Sequence, residues 1–157
     1  MKIKLLVVGK THDRDLAGLI DEYIKRVNRY LQFEFEVVPD IKKAKHLPEP
    51  QLKQKEGLAI LERIRESDTV FLLDEGGKQY SSVEFSKFLQ AQLNRGGKQL
   101  IFVIGGAYGF DTAVIRRAQG KISLSKMTFS HQMVRLFFVE QLYRGFSILR
   151  NEPYHHQ

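Results

Sequence analysis

At 157 residues, with 43% hydrophobic and 27% charged residues, the chain suits one compact domain with a packed core and lies far from disordered or collagen-like compositions. It has no cysteine, which excludes disulfides, thiolate nucleophiles and cysteine-ligated metals. Lysine and arginine total 25 against 18 acidic residues, and the resulting formal charge of +7 favours polyanionic partners over basic ones.

The first apolar run, Ile3 to Val8, ends at Gly9 and has the length and purity of a buried parallel strand. It is too short for a membrane span and lacks a signal-peptide pattern, so the expected location is the cytoplasm, with no membrane partner. Thr11 to Leu31 follows as a helix, with Leu16, Leu19, Ile20, Tyr23, Ile24, Val27, Tyr30 and Leu31 on one face. Phe33 to Val38 alternates apolar residues with Glu34 and Glu36, the period of a strand with one polar face, and Pro39 closes it. Lys42, Lys43, Lys45, His46, Lys53 and Lys55 then form a basic stretch broken by Pro48 and Pro50, a loop leading into a second helix over about 51–66. Solvated lysines and phosphate-touching lysines are both open readings of that loop.

Thr69 to Leu73 reads as a third buried strand, Asp74 to Lys78 as a turn, and Ser81-x-x-Glu84 as a capping box opening a helix to Leu93. Asn94 to Gly97 ends that helix. Leu100 to Ile104 is the fourth strand, Gly105-Gly106-Ala107-Tyr108-Gly109 a glycine-rich turn, and Asp111 a cap for a short helix to Ala118. Ile122 to Leu124 is the fifth strand. The final helix, about 131–149, is apolar around much of its circumference, which points to burial in the core and to a dimer contact. Five strands alternating with five helices predict an α/β domain: a parallel sheet with helices on both faces.

In such a sheet ligands bind beyond the carboxyl ends of the strands, which directs attention to the loops after strands three, four and five. A phosphate-binding P-loop is excluded, because position 72 is leucine where glycine is required and Gln79 follows Lys78. A dinucleotide fingerprint is excluded too: Gly105-Gly106-x-x-Gly109 has the wrong spacing, follows the wrong strand and has Ser125 where an acidic residue is needed. The paired glycines allow either a tight turn or close approach of backbone to a flat ligand, and both readings stay open. His131 and Arg135, at the start of the last helix, are candidates to orient an anion. No histidine set has metal-ligand spacing, so no metal is expected.

Taken together, Leu72-Leu73-Asp74-x-x-Gly77-Lys78, Phe102-Val103-Ile104-Gly105-Gly106-x-x-Gly109, Leu124-Ser125-x-Met127-Thr128-x-x-His131-x-x-x-Arg135 and Glu140-Gln141-Leu142-Tyr143-Arg144 resemble one family, the SPOUT-class ribosomal RNA large subunit methyltransferase H proteins. The resemblance runs from Lys2 to His155. It implies a homodimer with a C-terminal deep trefoil knot, a departure from the rule that chains are unknotted. It also implies S-adenosylmethionine as cofactor, contacted by Leu73, Gly105, Gly106 and the loop Leu124, Ser125, Lys126, Met127, Thr128, Phe129 and Ser130. The implied reaction is methylation of N3 of a pseudouridine in 23S ribosomal RNA on assembled ribosomes, without a metal.

For substrate placement the resemblance directs attention to Tyr154, His155 and Arg144, with His131, Arg135, Glu140 and Tyr143 as further polar positions. Arg135 and Arg144 are expected to hold phosphate or the dimer, and His155 to accept a proton; the competing reading of Arg144 is an intrahelical pair with Glu140, four residues away. Ala107 and Ser130 stand where relatives often carry proline. The alternative function is a ribosome- or RNA-binding module of the same fold without turnover, separated from the enzyme by cofactor affinity. A phosphate-switched signalling domain fails, because Val8-Gly9-Lys10-Thr11 stands where its carboxylates would be.

Overall fold

Strand β1 (Lys2–Val8) is buried along nearly its whole length, and it is paired on both sides. The computed structural model describes residues 1–156 and places β1 between β2 (Phe33–Val38) and β4 (Gln99–Ile104). Beyond β4 come β3 (Thr69–Gln79) and β5 (Gly120–Ser123), so the sheet order is β2-β1-β4-β3-β5, with every pairing parallel.

The apolar runs have no polar alternation because both faces of the sheet are covered. Ile3, Leu5, Val7, Leu100, Phe102 and Ile104 face one layer, formed by α1 (Arg14–Val27), α3 (Ser82–Asn94) and α5 (Met133–Leu149). Leu6, Val8, Val70, Leu72, Ile101 and Val103 face the other, where α2 (Glu49–Leu61) contributes Ile60 and α4 (Thr112–Arg117) contributes Val114. Helix α5 lies against both α1 and α3, which accounts for its wide apolar surface: Phe138, Val139, Leu142 and Phe146 enter the core.

The element ends differ from the sequence expectation where side chains decide them. Helix α1 starts at Arg14 because the Asp13 carboxylate accepts a hydrogen bond from Leu16 N–H at 2.9 Å, and Leu19 lies outside the buried face, 47% exposed. Helix α2 starts two residues earlier than expected, with Pro50 in its first turn, where no amide is missed. The capping box at α3 is formed in both directions: Glu84 N–H donates to Ser81 Oγ, and Ser81 N–H donates to the Glu84 carboxylate. Asp111 occupies the cap position of α4 without a side-chain bond.

The largest correction is at the turn expected over Asp74 to Lys78. Strand β3 continues through it to Gln79, and both Leu73 and Lys78 register against Ile122 of β5, so residues 74–77 bulge between two pairings with one strand. Gly77 permits this, since a Cβ there would lie 2.6 Å from the Ile122 nitrogen and the Lys121 carbonyl carbon. Turn-like composition and strand pairing coexist because the bulge has to leave the ladder without pushing β5 away.

Candidate functional site

The carboxyl ends of β3, β4 and β5 open into a cavity of about 600 Å³, within the 300–1,000 Å³ usual for small-molecule sites. The β3 bulge supplies Leu73, Asp74 and Glu75; the β4 turn supplies Ile104 to Phe110; and the chain after β5 supplies Leu124, Ser125 and Met127 to His131. Helix α2 reaches in with Glu49, and α5 with Val134. Of the positions expected to touch a cofactor, Leu73, Gly105, Gly106, Leu124, Ser125, Met127, Thr128, Phe129 and Ser130 line this cavity, and Lys126 does not.

The loop after β5 is held by short-range bonds its sequence encodes. Ser123 Oγ donates to the Ser125 carbonyl at 2.8 Å, Met127 N–H donates to Ser125 Oγ, and Met133 N–H donates to Ser130 Oγ. Across the mouth, Thr128 Oγ1 donates to Glu75 Oε2 at 2.8 Å and ties this loop to the β3 bulge. The glycines of the β4 turn make room inward: a Cβ at Gly105 would meet the Phe110 ring at 3.0 Å, and one at Gly106 would meet both Glu56 carboxylate oxygens at 2.8 Å. Both open readings of these glycines therefore have a physical basis, because the turn lines the cavity while its missing side chains admit buried groups behind it.

Chemically the cavity joins two surfaces. Leu73, Ile104, Ile122, Leu124 and Val134 form apolar walls, whereas the carboxylates of Glu49, Asp74 and Glu75 favour a ligand carrying positive charge. A smaller cavity of about 350 Å³ shares Ile122, Ser123, Leu124 and Phe129 with it and is lined further by Tyr80, Phe137 and Gln141. Among the described residues no group of acidic or histidine side chains is arranged to hold a metal ion. No helix of the described residues is long and apolar enough to cross a membrane.

The tail residues form a second cluster. Tyr154 O–H donates to Glu140 Oε1 at 2.8 Å and meets Tyr23 Oη at 3.1 Å. Arg144 donates to the same Glu140 oxygen at 2.6 Å, so the intrahelical pair is formed, and its second arm meets His155 Nδ1 at 3.1 Å. A guanidinium only donates, so His155 Nδ1 accepts; the neutral ring then carries its hydrogen on Nε2, which is buried without a partner among the described residues. Burial, then the bonds to Tyr23 and Glu140, push the Tyr154 phenol well above its usual range and keep it protonated. The cluster engages α5 at Glu140 and Arg144, whereas the cavity engages it at Val134, six and ten residues away, or about 9 and 15 Å along the helix. One protomer does not bring the two together.

Arg135 holds no phosphate. Its side chain is fully buried, and the guanidinium donates to the carbonyls of Val8 and Gly9 at 2.8 Å, to that of His131 at 3.1 Å and to Thr11 Oγ1. It is a clamp joining the end of β1 to the start of α5. His131 lies two residues before α5, exposed on the cavity rim. The reading from sequence pointed to the loop that carries Asp74 and Glu75 without naming them as contacts, and it missed Glu49, which lies far from the others along the chain and carries no local signal of its role.

A parallel sheet with a cavity at its carboxyl edge, bounded by a glycine turn and a serine-rich loop, defines an α/β protein with room for a small molecule at that edge. Residues 1–155 match the family described as Predicted SPOUT methyltransferase. Relatives named "Ribosomal RNA large subunit methyltransferase H" are 60% identical in Christiangramia forsetii, 59% in Flavobacterium johnsoniae and 54% in Porphyromonas gingivalis, each over 100% of both chains. A solved structure described as a probable methyltransferase from Bordetella pertussis Tohama I shares the fold, with a TM-score of 0.54, 13% identity and coverage of 91% of this chain and 95% of that one. The chain belongs to the SPOUT methyltransferase family.

Proposed function

We propose that this protein transfers a methyl group from S-adenosylmethionine to N3 of a pseudouridine in 23S ribosomal RNA, acting on assembled ribosomes as a homodimer. The observation that carries the reading is end-to-end similarity, at 59% and 60% identity, to proteins named ribosomal RNA large subunit methyltransferase H, in a chain whose cavity suits a cationic cofactor.

The residues present fit that cofactor. Leu73, Ile104, Ile122 and Leu124 offer apolar walls to an adenine, the β4 turn and the loop from Leu124 to Ser130 offer backbone donors and acceptors, and Glu49, Asp74 and Glu75 offer counter-charge to an ammonium and a sulfonium. When bound, S-adenosylmethionine supplies a methyl group already made electrophilic by its sulfonium. The protein's own task is then alignment of the acceptor nitrogen and exclusion of competing nucleophiles. In that role Arg144 holds the His155 imidazole through Nδ1, and Tyr154 fixes Glu140 beside them, so the tail is presented to the RNA as one rigid cluster. Neither tail residue is set up as the base in this arrangement, since the His155 lone pair is engaged by Arg144 and the Tyr154 phenol is held protonated.

Separation of tail and cavity within a protomer is the reason for proposing two protomers. Met133 and Phe137 of α5 are 40% and 39% exposed, and Met127 and Phe129 of the adjoining loop are 77% and 36% exposed. This apolar face beside the cavity suits an isologous contact that brings a partner's tail to it. The knot implied by resemblance is part of the same reading, supported by a chain that leaves edge strand β5 and returns inward to α5, between α1 and α3. The test is transfer of labelled methyl to ribosomes lacking the modification, with the product nucleotide identified by mass spectrometry. Label on N3 of a pseudouridine supports the proposal; absence of both cofactor binding and label favours the non-catalytic RNA-binding alternative, and cofactor binding without label on ribosomes or free RNA overturns the substrate assignment.

A further inference from the structure

Beside the acidic cavity, on the same edge of the sheet, lies a group of cations that the protein does not neutralise. Strands β1 and β2 run parallel, with Val8 registered against Val38 and Gly9 N–H donating to the Val38 carbonyl at 2.7 Å, so the loops that follow them leave the sheet side by side. The first loop carries Lys10 and leads to Arg14; the second carries Lys42, Lys43 and Lys45, and all five residues are exposed. The ion pairs among the described residues lie elsewhere and use none of these five. Of the nearby acids, Asp13 caps α1, Asp40 turns inward with its oxygens 2.7 and 3.0 Å from where a Gly9 Cβ would stand, and Asp15 is exposed in the first turn of α1.

These loops are built, not loose. Gln132 accepts from His12 N–H at 2.9 Å and donates to the Lys10 carbonyl, while Arg135 clamps the Gly9 carbonyl and Thr11 Oγ1. The first loop is thereby fixed to the start of α5, whose Val134 lines the cavity. In the second loop Lys43 takes a left-handed backbone, φ 59°, and its carbonyl accepts from His46 N–H to form a single 3-10 turn over Ala44–His46. Ordered backbone lowers the entropy lost when lysines engage a ligand. Strand β2 stands two strands from β4, about 10 Å at ~4.8 Å per strand, so the cations lie roughly that far from the glycine turn that lines the cavity.

We propose that the loops bearing Lys10, Lys42, Lys43 and Lys45, with Arg14 at the start of α1, form a basic shelf that grips the sugar–phosphate backbone of an RNA while the adjoining cavity holds the cofactor. The proposal rests on the RNA methyltransferase reading above and names the surface that reading leaves unassigned. Carboxylates in the cavity repel phosphate and the shelf attracts it, so the charge pattern sets which part of the RNA sits where. Such contacts carry affinity and register without reading sequence.

The test is a salt titration of binding to a fluorescein-labelled RNA hairpin with pseudouridine in its loop, using the full-length protein and the variant Lys42→Ala/Lys43→Ala/Lys45→Ala. Each lost phosphate contact to a single strand reduces the slope of log K against log salt by about 0.7, so three lower it by about 2. The expected result is that drop, with Kd for the hairpin rising more than tenfold near 0.1 M salt and calorimetric affinity for S-adenosylmethionine unchanged, which reports an intact fold. A wild-type slope and Kd in the triple variant overturn the shelf while leaving the enzyme reading in place. A slope drop of about 0.7 in Lys98→Ala, one cation removed at the opposite end of β4, also overturns it by showing that net charge alone acts. If wild-type protein binds neither hairpin nor ribosomes, both the shelf and the RNA methyltransferase reading fall.

Discussion

Replacing Arg135 with methionine isolates the clamp from any role in RNA binding. The guanidinium is fully buried and serves three backbone carbonyls and the Thr11 hydroxyl. Stranding three buried acceptors costs about 1–2 kcal/mol each, or about 3–6 kcal/mol together. Part of this is returned, because burial penalises the charged arginine and lowers its pKa, with more distant Asp40 only partly opposing the effect. The expected net loss is about 3 kcal/mol, equivalent to a fall in Tm of roughly 10 °C for a chain of this size. Urea and thermal denaturation followed by circular dichroism measure it, and Arg135→Lys should fall between, since one ammonium cannot span all the acceptors. A loss below about 1 kcal/mol accompanied by weakened RNA binding would refute the clamp and restore Arg135 as a phosphate ligand.

Three further outcomes follow from the same contacts. Gly77→Ala places a Cβ 2.6 Å from β5 backbone and should cost about 3 kcal/mol together with cofactor affinity, read by denaturation and calorimetry; an unchanged Kd would show that the cavity does not depend on the bulge. Burial, then the charge of Asp40, raises the Glu56 carboxyl above its usual range, so the folded state keeps that proton to higher pH than the unfolded chain. Wild-type stability from this group is complete below the unfolded value of about 4.3 and is lost as pH rises through the raised one; Glu56→Gln should therefore gain on wild type across that window in urea melts, and a pH-independent difference would sink the assignment. His155→Ala removes the partner of the Arg144 guanidinium, a loss of about 2 kcal/mol in alignment of the tail, and should slow methyl transfer roughly 30-fold with cofactor affinity intact. Equal activity in that variant removes His155 from substrate placement.

Local rules account for what could be read without the fold. The capping box at Ser81 and Glu84 is decided within one turn, and β2 keeps its expected bounds because its alternation and Pro39 are local. The β3 bulge was unreadable for the opposite reason. Asp74-Glu75-Gly76-Gly77 has the composition of a turn, and only the approach of β5, some 45 residues on, makes Gly77 a packing requirement and returns Lys78 to the ladder.

The sequence by itself determined the alternation of strands and helices, the buried character of β1 and β4, the three loops that carry the cavity and, through its motifs, the family. These depend on periodicity, capping and glycine placement, which act over a few residues. Tertiary structure decided the strand order, the inward role of Arg135, the arrival of Glu49 at the cavity and the distance between that cavity and the Tyr154–His155–Arg144 cluster. Each of these turns on groups far apart in the chain meeting in space, where burial and hydrogen-bond partners set the chemistry that residue type alone leaves open.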